Sequence, residues 1–534
     1  METYDRGVCI AWEREALLSI KAGIVADPER ILSSWRGQDC CRWKGVRCSS
    51  MTGHVIVLDL HGNEDEYLSG EISSSLIVLE HLQHLDLSYN LLTVPQGRLP
   101  DFIGSLHHLR YLNLSAMGFS GMVPHQLGNL SRLLYLDLST NTNLYSEDLS
   151  WLPRLPLLKH LDLSSVNLDT VIGWVDTVSM LPFLQVLRLR MCDLQNTSRF
   201  VSPSNLTRLE IIDMSFNSIE KQFDTITWVW DAAGLKYLNL ESSGVYGVFP
   251  AKLGQLSSLE VLMLSWNNMK GIIPDTLCIL RVLELAKSHV QGDVMEFIKT
   301  LPECSWSKLQ VLHLGRNNLT GSLSDQISHL TSITTLDLRF NKLTGTLPTV
   351  IGKLHKLIYL HLGYNQIHGL VTEDHFSSLT ELRELHLSGN LFSMELKTNW
   401  IPPFSLDSLG LTSCRLGPRF PQWLKSQTNI SFLYISGAGI ADTMPDWFWT
   451  VFKKAAILDL SSNKIRGTLP ATLGQMNTMV LVLEDNLAAT STACMAYPCK
   501  ASSQSCLQFR IANRFRCSYC VRVYVFSPIL CTSI

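Results

Sequence analysis

The chain carries none of the residue patterns that would support common catalytic chemistry. It contains no HExxH metalloprotease pattern, no GxSxG nucleophile elbow, no GxxxxGK[ST] phosphate loop and no kinase signature set. The 16 histidines are spread along the chain, and His81 with His84, or His107 with His108, are interpreted as solvent or groove residues rather than metal ligands. We therefore expect a protein that is not an enzyme, with no metal site and no cofactor.

The 14 cysteines are the residues with the clearest chemistry, and most of them lie near the two ends. The four near the start are Cys9, Cys40, Cys41 and Cys48. We predict that these four form two disulfides, which four cysteines can do in three ways, and that the chain folds in an oxidising compartment. Among the six near the end, Cys517 and Cys520 form a CxxC, but no second CxxC accompanies it, so zinc is disfavoured.

Charge and hydropathy exclude several classes of partner. The net charge is −3 and charged residues make up 17% of the chain, whereas a nucleic-acid-binding protein usually has a basic face. The first residues lack the charged and apolar regions of an export signal, and no run of about 20 apolar residues predicts a membrane segment. The cysteines still favour an extracellular location, and we give them more weight than the N-terminus.

Six triplets are candidate N-glycosylation sites, which fits an extracellular protein. They begin at Asn113, Asn129, Asn196, Asn205, Asn318 and Asn429. Asn129 and Asn429 precede predicted strands in loop-like contexts and are the favoured sites. Asn113 lies between the inward leucines of a predicted strand, so a glycan there would stand in a groove.

Between the two cysteine-rich ends, the chain is a tandem repeat. Residues 82–90 have the form LxxLxLxxN, which returns at 133–141, 259–267, 309–317, 333–341, 357–365 and 382–390, with looser copies between. The Asn position falls at 63, 90, 117, 141, 166, 192, 217, 243, 267, 288, 317, 341, 365, 390, 414, 438, 463 and 486. A period of 20 to 29 residues with this pattern is the leucine-rich repeat.

The repeat predicts an α/β leucine-rich-repeat solenoid. We expect a curved right-handed superhelix with a parallel β-sheet on its concave face, a 3₁₀ or irregular convex side and a helical N-terminal cap. The two leucines of LxL point inward, and stacking of turns buries them in one core. The Asn amide can satisfy buried backbone groups of neighbouring turns. Turns with another residue in place of Asn should be weaker, and the uneven spacing from 267 to 317 predicts a damaged turn around Cys278 to Cys304.

Four segments follow from this pattern. Residues 1–8 fit no element, 9–53 form a cysteine-containing cap, 54–487 hold about 18 repeats and 488–534 leave the repeat. In the cap, residues 13–22 have a helical pattern and are followed by Ser34-Trp35, Cys40-Cys41, Trp43 and Cys48. After the Asn, many turns read LxGxxP, as at residues 343–348. Glycine permits the tight turn there, and proline starts an extended or 3₁₀ segment.

This cap and the LxGxxP turns resemble plant extracellular leucine-rich-repeat proteins, above all the plant receptor-like proteins, which include receptors for fungal xylanase. Further similar stretches are DLSWL at 148–152, EDHF at 373–376, LGPRFPQWL at 416–424 and PDWFW at 445–449. The family carries a signal peptide, an island between repeats, a membrane helix and a tail without a kinase, none of which we find here. Residues 488–534 lack Asp and Glu and are interpreted as a truncated or mis-spliced end, the alternative being a cysteine-bonded C-terminal cap.

The concave face is the expected binding site. The position before the Asn column carries Tyr89, Phe216, Trp266, Arg316, Phe340 and Tyr364, and the strand carries Arg188, Met263, His313, His361 and His386. Aromatic and Arg side chains are favoured in interface hot spots. We predict ligand contacts along the row from Trp266 to His386, with Lys287 extending the row across the irregular turn. The recurring Asp of the strands is interpreted as part of the repeat consensus.

Three functions remain open at this point. The resemblance implies the ectodomain of a plasma-membrane receptor that perceives a protein, peptide or glycan elicitor in plant defence and signals through a partner receptor kinase. A secreted inhibitor of a cell-wall-degrading enzyme uses the same repeat, but the plant polygalacturonase inhibitors have only about ten repeats. A non-functional receptor fragment is the third possibility.

Overall fold

The structure, a computed structural model, describes residues 9–487 except 64, 94–96, 196–204, 272, 275–276, 302, 468–475 and 477–479, together with strand Gln508–Arg510. The chain divides into two units, which are described separately: residues 1–290 with 300–305, and residues 291–299 with 306–534. Segment 1–8, Asn196 and the cysteines of the tail lie outside the described residues.

In the first unit, one short strand from each repeat joins a parallel ladder. Neighbouring strands pair in register, so that Leu136 lies beside Leu161. Strand Val46–Cys48 precedes the ladder and pairs antiparallel with its first member. The parallel strands are Val55–Asp59, His84–Asp86, Tyr111–Asn113, Tyr135–Asp137, His160–Asp162, Val186–Arg188, Ile211–Asp213, Tyr237–Asn239, Val261–Met263 and Val282–Glu284.

The second unit repeats this arrangement. Its parallel strands are Val311–His313, Thr335–Asp337, Tyr359–His361, Glu384–His386, Ser408–Gly410, Phe432–Tyr434, Ile457–Asp459 and Val480–Val482. Gln508–Arg510 pairs with the last of these, so part of the segment that we set outside the repeat adds a further strand. Each predicted turn supplies one strand, and the leucine-rich-repeat fold is confirmed.

The leucines of the repeat form the core. Within one turn, Leu336 and Leu338 are fully buried, as are Leu354, Leu357 and Leu360 of the next turn. Complete burial of such a side chain contributes about 1.5–3 kcal/mol. Since each leucine packs mainly against the turns on either side, the core continues from turn to turn within each unit.

The side opposite the ladder is built from shorter strands, 3₁₀ segments and a few helices. In the first unit the outer strands are Ile24–Ala26, Ser69–Glu71, Leu91–Thr93, Ser120–Met122, Asn143–Tyr145, Tyr246–Val248 and Asn268–Lys270; in the second they are Gln291–Asp293, Asn318–Thr320, His368–Val371 and Leu391–Met394. The helices are Ala11–Ala22, Trp174–Val178, Val294–Thr300, Glu303–Trp306 and Trp447–Val451.

The LxGxxP pattern takes the form that we predicted. Gly345 has a φ of 75°, and Pro348 immediately precedes the 3₁₀ segment Thr349–Lys353. The 3₁₀ segments are Ile31–Ser34, Cys40–Arg42, Ser74–Val78, Asp101–Ser105, His125–Asn129, Leu152–Arg154, Phe223–Thr225, Thr227–Asp231, Ala251–Gln255, Asp325–His329, Thr349–Lys353, Glu373–His375 and Gln422–Ser426.

The cap covers the start of the ladder through a buried carboxylate. Glu13, on helix Ala11–Ala22, is 1% exposed. Its two oxygens lie 2.7 Å from the backbone N–H of Val55, which donates to it, and 2.8 Å from Nδ1 of His54. The first ladder strand has no preceding repeat to pair with. The Glu13 carboxylate therefore accepts a hydrogen bond from the N–H of Val55 that would otherwise be buried without a partner.

Three disulfides join described cysteines. In the cap, Cys9 is bonded to Cys40 and Cys41 to Cys48, one of the three pairings that the sequence left open. Cys278 is bonded to Cys304 across a separation of 26 residues. The turn that we interpreted as damaged is thus a longer turn that is closed covalently and contains helix Val294–Thr300.

Most buried Asn residues of the repeat bridge two turns. The Nδ2 group of Asn365 donates to the carbonyls of Leu338 in the preceding turn and of Leu362 and Gly363 in its own turn. Its Oδ1 accepts the N–H of Leu343. One amide thus satisfies backbone groups that are buried where the chain leaves the strand, as we predicted.

Some turns without Asn satisfy part of the same groups in another way. The hydroxyl of Ser243 donates to the carbonyl of Met214 at 2.9 Å, and the thiol of Cys192 donates to that of Leu163 at 3.1 Å. In a turn with Asn, the side-chain oxygen accepts a backbone N–H of the preceding turn. Where Ser243 stands in place of Asn, its backbone carbonyl accepts this hydrogen bond from the N–H of Ile219 at 3.1 Å. In these turns, part of the hydrogen bonding that an Asn provides is kept.

Two of these substituting residues are buried free thiols. Cys192 and Cys414 carry no disulfide. Burial raises the pKa of the Cys414 thiol to about 12 and raises that of Cys192 still more strongly. Both therefore stay protonated and act as weak hydrogen-bond donors.

Among the described residues, no helix combines the length and the apolar character that a membrane crossing requires.

We predict that Asn365→Ala costs about 2–5 kcal/mol in the free energy of unfolding, because a buried N–H and several carbonyls lose their partner at roughly 1–3 kcal/mol each. Asn365→Ser should cost clearly less, since it can make the bonds of Ser243. Urea unfolding of both variants measures the difference. Equal losses would contradict this role of the amide.

We also predict that replacing Cys278 and Cys304 by Ser costs about 2–4 kcal/mol, because the open loop gains entropy in the unfolded chain. The matched control replaces Cys41 and Cys48, whose separation is only 7 residues, and should cost less. Thermal melting of the two double variants tests this. An unchanged melting temperature for the first variant would show that the longer turn does not need its disulfide.

Candidate functional site

The position before the Asn, or before the residue that takes the place of Asn, has a left-handed backbone in most turns and presents its side chain outward. We call this position the turn column. Its φ is 56° at Phe216, 60° at Trp266 and 55° at Phe340. Such a conformation costs a non-glycine residue roughly 1–2 kcal/mol, and glycine occupies the column at Gly389 and Gly437. The backbone conformation of this column therefore favours glycine over a large side chain.

In the second unit, three consecutive members of the turn column stack. The guanidinium of Arg316 lies 4.4 Å from the ring centre of Phe340. The ring of Phe340 lies 4.3 Å from that of Tyr364, at an interplanar angle of 4°. Tyr364 is 51% exposed. Three of the predicted contact residues therefore form one exposed, amphipathic stack, which we call the Arg316 stack.

The turn column of the first unit forms smaller groups. The ammonium of Lys287 lies 3.7 Å from the ring centre of Trp266. Arg190, the neighbour of the column residue Met191, places its guanidinium 4.5 Å from the ring centre of Phe216. Lys287 thus lies over the Trp266 ring, whereas we had expected it to extend the row. Trp266 and the Arg316 stack belong to different units, so each is considered as a surface of its own unit.

A buried carboxylate organises the ladder face of the second unit. Asp337 is 2% exposed, and its Oδ2 lies 2.7 Å from Nε2 of His313, 2.9 Å from Nε of Arg339 and 3.8 Å from Nδ1 of His361. Burial alone would raise the pKa of Asp337. The hydrogen bond from His313, the nearby imidazole of His361 and the charge of Arg339 outweigh burial and hold this pKa well below its usual range.

Next to this carboxylate, a second acid lies between two of the predicted histidines. Nε2 of His361 lies 3.1 Å from Oε2 of Glu384, and Nε2 of His386 lies 3.9 Å from the same oxygen. His386 also contacts the hydroxyl of Ser408, at 2.9 Å. Burial, and then the neighbouring His361 and Arg339, lowers the pKa of His386 to about 4.

Sequence reasoning had named both histidines but missed Glu384. His361 and Glu384 stand in different repeats, so no short motif contains them. Aligning the repeats on their Asn residues would have placed His361 directly beside His386, which is the observed register. The alternation of side chains along a strand would then have put Glu384 on the same face as His386.

Arg188, predicted as a ligand contact, and Met263 lie on the ladder of the first unit. NH1 of Arg188 is 3.7 Å from a carboxylate oxygen of Asp162, and the hydroxyl of Tyr237 contacts the sulfur of Met263 at 3.4 Å. Asp162 has a raised pKa, because burial and the nearby Asp137 outweigh the Arg188 charge. The repeated strand Asp binds a backbone N–H two residues on, as Asp162 does with Ser164.

An aromatic stack on the first unit escaped the sequence analysis. The rings of His84, Tyr111, Tyr135 and His160 follow one another at centroid distances of 4.1, 4.3 and 4.1 Å. Burial raises the pKa of Tyr111 to about 12. Burial, together with the charge of Arg188, lowers the pKa of His160 to about 4. His160 is therefore neutral near neutral pH.

The glycosylation triplets fall in different environments. Asn129, Asn205, Asn318 and Asn429 are exposed. Asn113 is half-buried at the end of its strand, where its Nδ2 donates to Asp86 at 3.2 Å and its Oδ1 accepts from Ser115. A glycan on Asn113 would have to share this amide with the network of the ladder.

Comparisons with known families agree with the repeat and the cap. The sequence model of the leucine rich repeat N-terminal domain matches residues 11–49. Models of the leucine rich repeat match residues 81–106, 258–280, 308–330, 331–392 and 456–476.

The chain is 35% identical to Receptor-like protein EIX1 and 34% identical to Receptor-like protein EIX2, both of Solanum lycopersicum. These alignments cover 87% and 90% of this chain but 53% and 55% of the relatives. The chain thus spans about half the length of the curated relatives it matches. The resemblance to plant receptor-like proteins is confirmed.

Solved structures with a similar fold include two plant receptor kinase ectodomains from Arabidopsis. That of GASSHO1/SCHENGEN3, in complex with CASPARIAN STRIP INTEGRITY FACTOR 2, aligns with a TM-score of 0.66 and 24% identity over 89% of this chain and 62% of that one. That of HAESA, in complex with an N-terminally extended IDA peptide hormone, aligns with a TM-score of 0.64 and 24% identity. This alignment covers 89% of this chain and 86% of that one. At this identity the similarity supports the fold.

We predict that His160→Tyr makes the stability less dependent on pH. The folded-state pKa of His160, about 4, lies below the ordinary value of about 6.5. Between these values the unfolded chain binds a proton that the folded chain does not, so stability falls as pH drops from 6.5 towards 4. Tyrosine keeps the ring stack and does not titrate there.

Urea unfolding of wild type and His160→Tyr across this pH range measures the effect, with the exposed His107→Tyr as the control. The free energy of unfolding of His160→Tyr, relative to that of wild type, should increase as pH falls from 6.5 towards 4. Parallel pH profiles would show that His160 is not held neutral by its surroundings.

Proposed function

We propose that this chain, a leucine-rich-repeat protein related to the receptor-like proteins of plants, is the ligand-binding part of a cell-surface receptor. In this proposal it binds an extracellular elicitor on the outward face of the ladder, performs no catalysis itself and signals in plant defence through a partner receptor kinase. Its place is the outer side of the plasma membrane.

The Arg316 stack is the observation that supports the proposal most strongly. Its residues occupy left-handed positions where glycine would fold more easily, so their size needs a reason other than folding. Residues held in unfavourable backbone conformations often mark functional sites. Stacked rings offer apolar area at low entropic cost, and Arg316 keeps donors for a carboxylate or a hydroxyl group.

The class of ligand follows from the same surface and from the relatives. The stack combines apolar rings with a cation, which suits a protein or peptide with exposed apolar and acidic groups. Two of the solved neighbours are named as complexes of peptide hormones or factors. Because the resemblance includes receptors for fungal xylanase, that protein is the first probe to test.

The test variant replaces Arg316, Phe340 and Tyr364 by Gly. Glycine relieves the left-handed backbone by about 1–2 kcal/mol per residue, which offsets the lost ring contacts. We therefore predict that the melting temperature changes little, whereas affinity for fungal xylanase falls at least tenfold, since one hot spot contributes more than about 1–2 kcal/mol.

Biolayer interferometry with the secreted chain measures this affinity. The control is Ser413→Gly, which makes the same change at a turn-column position with a small side chain. If the triple variant binds xylanase with unchanged affinity, the Arg316 stack is not the binding site. A wild-type chain that fails to bind xylanase would exclude this protein as the ligand.

A further inference from the structure

Three side chains with metal-binding atoms converge on the ladder face of the second unit. His361 comes from strand Tyr359–His361, while Glu384 and His386 come from the next strand. One ligand atom from each, two imidazole nitrogens and one carboxylate oxygen, lies within 4.8 Å of the other two. The parallel register places His361 beside His386 and keeps all three on one face.

The distances fit a small transition-metal ion after slight closure. Zinc binds imidazole nitrogen and carboxylate oxygen at about 2.0–2.2 Å in a tetrahedral arrangement, which puts ligand atoms roughly 3.3–3.6 Å apart. Nε2 of His361 is 3.1 Å, and Nε2 of His386 3.9 Å, from Oε2 of Glu384. These distances bracket the zinc spacing, and zinc binding would replace the 2.9 Å contact between Nε2 of His386 and the hydroxyl of Ser408.

A carboxylate lies near the second ring nitrogen of His361, where metal-binding histidines usually have an outer partner. Such a histidine usually donates its second ring N–H to a carboxylate, which fixes its orientation. Nδ1 of His361 faces Oδ2 of Asp337 at 3.8 Å, and Asp337 is itself held by His313 and Arg339. His361 is thus oriented with Nε2 towards Glu384.

The absence of a side chain at Gly410 makes room for the ring of His386. Gly410 lies opposite His386 on the next strand, and a Cβ there would be 2.6 Å from Nδ1 of His386. Any larger residue at 410 would displace the ring. The side chains of His361, Glu384 and His386 are 14%, 33% and 28% exposed. The three residues are therefore partly buried against their neighbours and partly accessible to solvent.

We propose that His361, Glu384 and His386 form a binding site for a zinc ion, with a fourth coordination position open on the ladder face. Two imidazoles favour zinc over magnesium or calcium, which prefer oxygen ligands. The open position would take water or a carboxylate or imidazole group of a bound partner. Zinc binding needs no elicitor, so this site can be tested independently of the proposed receptor role.

Isothermal titration of the full secreted chain, without an affinity tag, with zinc chloride tests the site. We expect one zinc equivalent that disappears in His361→Gln and in His386→Gln. Asp337→Asn should weaken the same equivalent about 10–100-fold, the usual effect of losing an outer partner. His368→Gln, an exposed histidine on the outer side of the same unit, is the control and should bind as wild type.

Cobalt substitution separates this site from cysteines, because a histidine and carboxylate site lacks the thiolate charge-transfer absorption. Circular dichroism of each variant verifies that it is folded. Zinc binding that persists unchanged in folded His361→Gln and His386→Gln, or cobalt spectra with thiolate absorption alone, would overturn the proposal. Absence of zinc binding by the wild-type chain would overturn it as well.

Discussion

The rest of this structure depends on the hydrogen bonding of buried backbone groups where each strand ends. A chain that turns sharply above a leucine core exposes N–H and carbonyl groups to an apolar interior, where unpaired groups are costly. In many turns, one Asn amide binds groups of its own turn and of the turn before, as Asn365 does. Buried backbone groups therefore acquire their hydrogen-bond partners only when neighbouring turns stack.

This arrangement separates folding from recognition within a single turn. The inward leucines and the Asn are constrained by burial, and the residue just before the Asn is constrained in its backbone but free in its side chain. Phe340, Lys287 and Gly389 all occupy that position. The ladder face can consequently carry very different chemistry, from the Arg316 stack to the cluster around Glu384, on the same framework.

Much of the fold could be predicted from the sequence, because the period of the leucines and the burial of Asn follow from local spacing. Each predicted strand is present, and Pro348 starts a 3₁₀ segment as expected. Contacts between repeats were harder to predict. Lys287 lies over Trp266, Glu384 approaches His361, and Cys278 reaches Cys304, because these pairs depend on side-chain direction and on the course of an irregular turn. The backbone carbonyl that accepts the Ile219 N–H in the absence of an Asn leaves no signal in residue types.

The buried thiols of Cys192 and Cys414 have a consequence for how the chain matures. Thiol–disulfide exchange requires a thiolate and access to it, and burial denies both once the turns that contain these residues have stacked. Unpaired cysteines can then persist beside the bonded pairs without scrambling them. Before stacking, both thiols can compete for partners, so the fidelity of pairing depends on whether the ladder closes faster than mixed disulfides form.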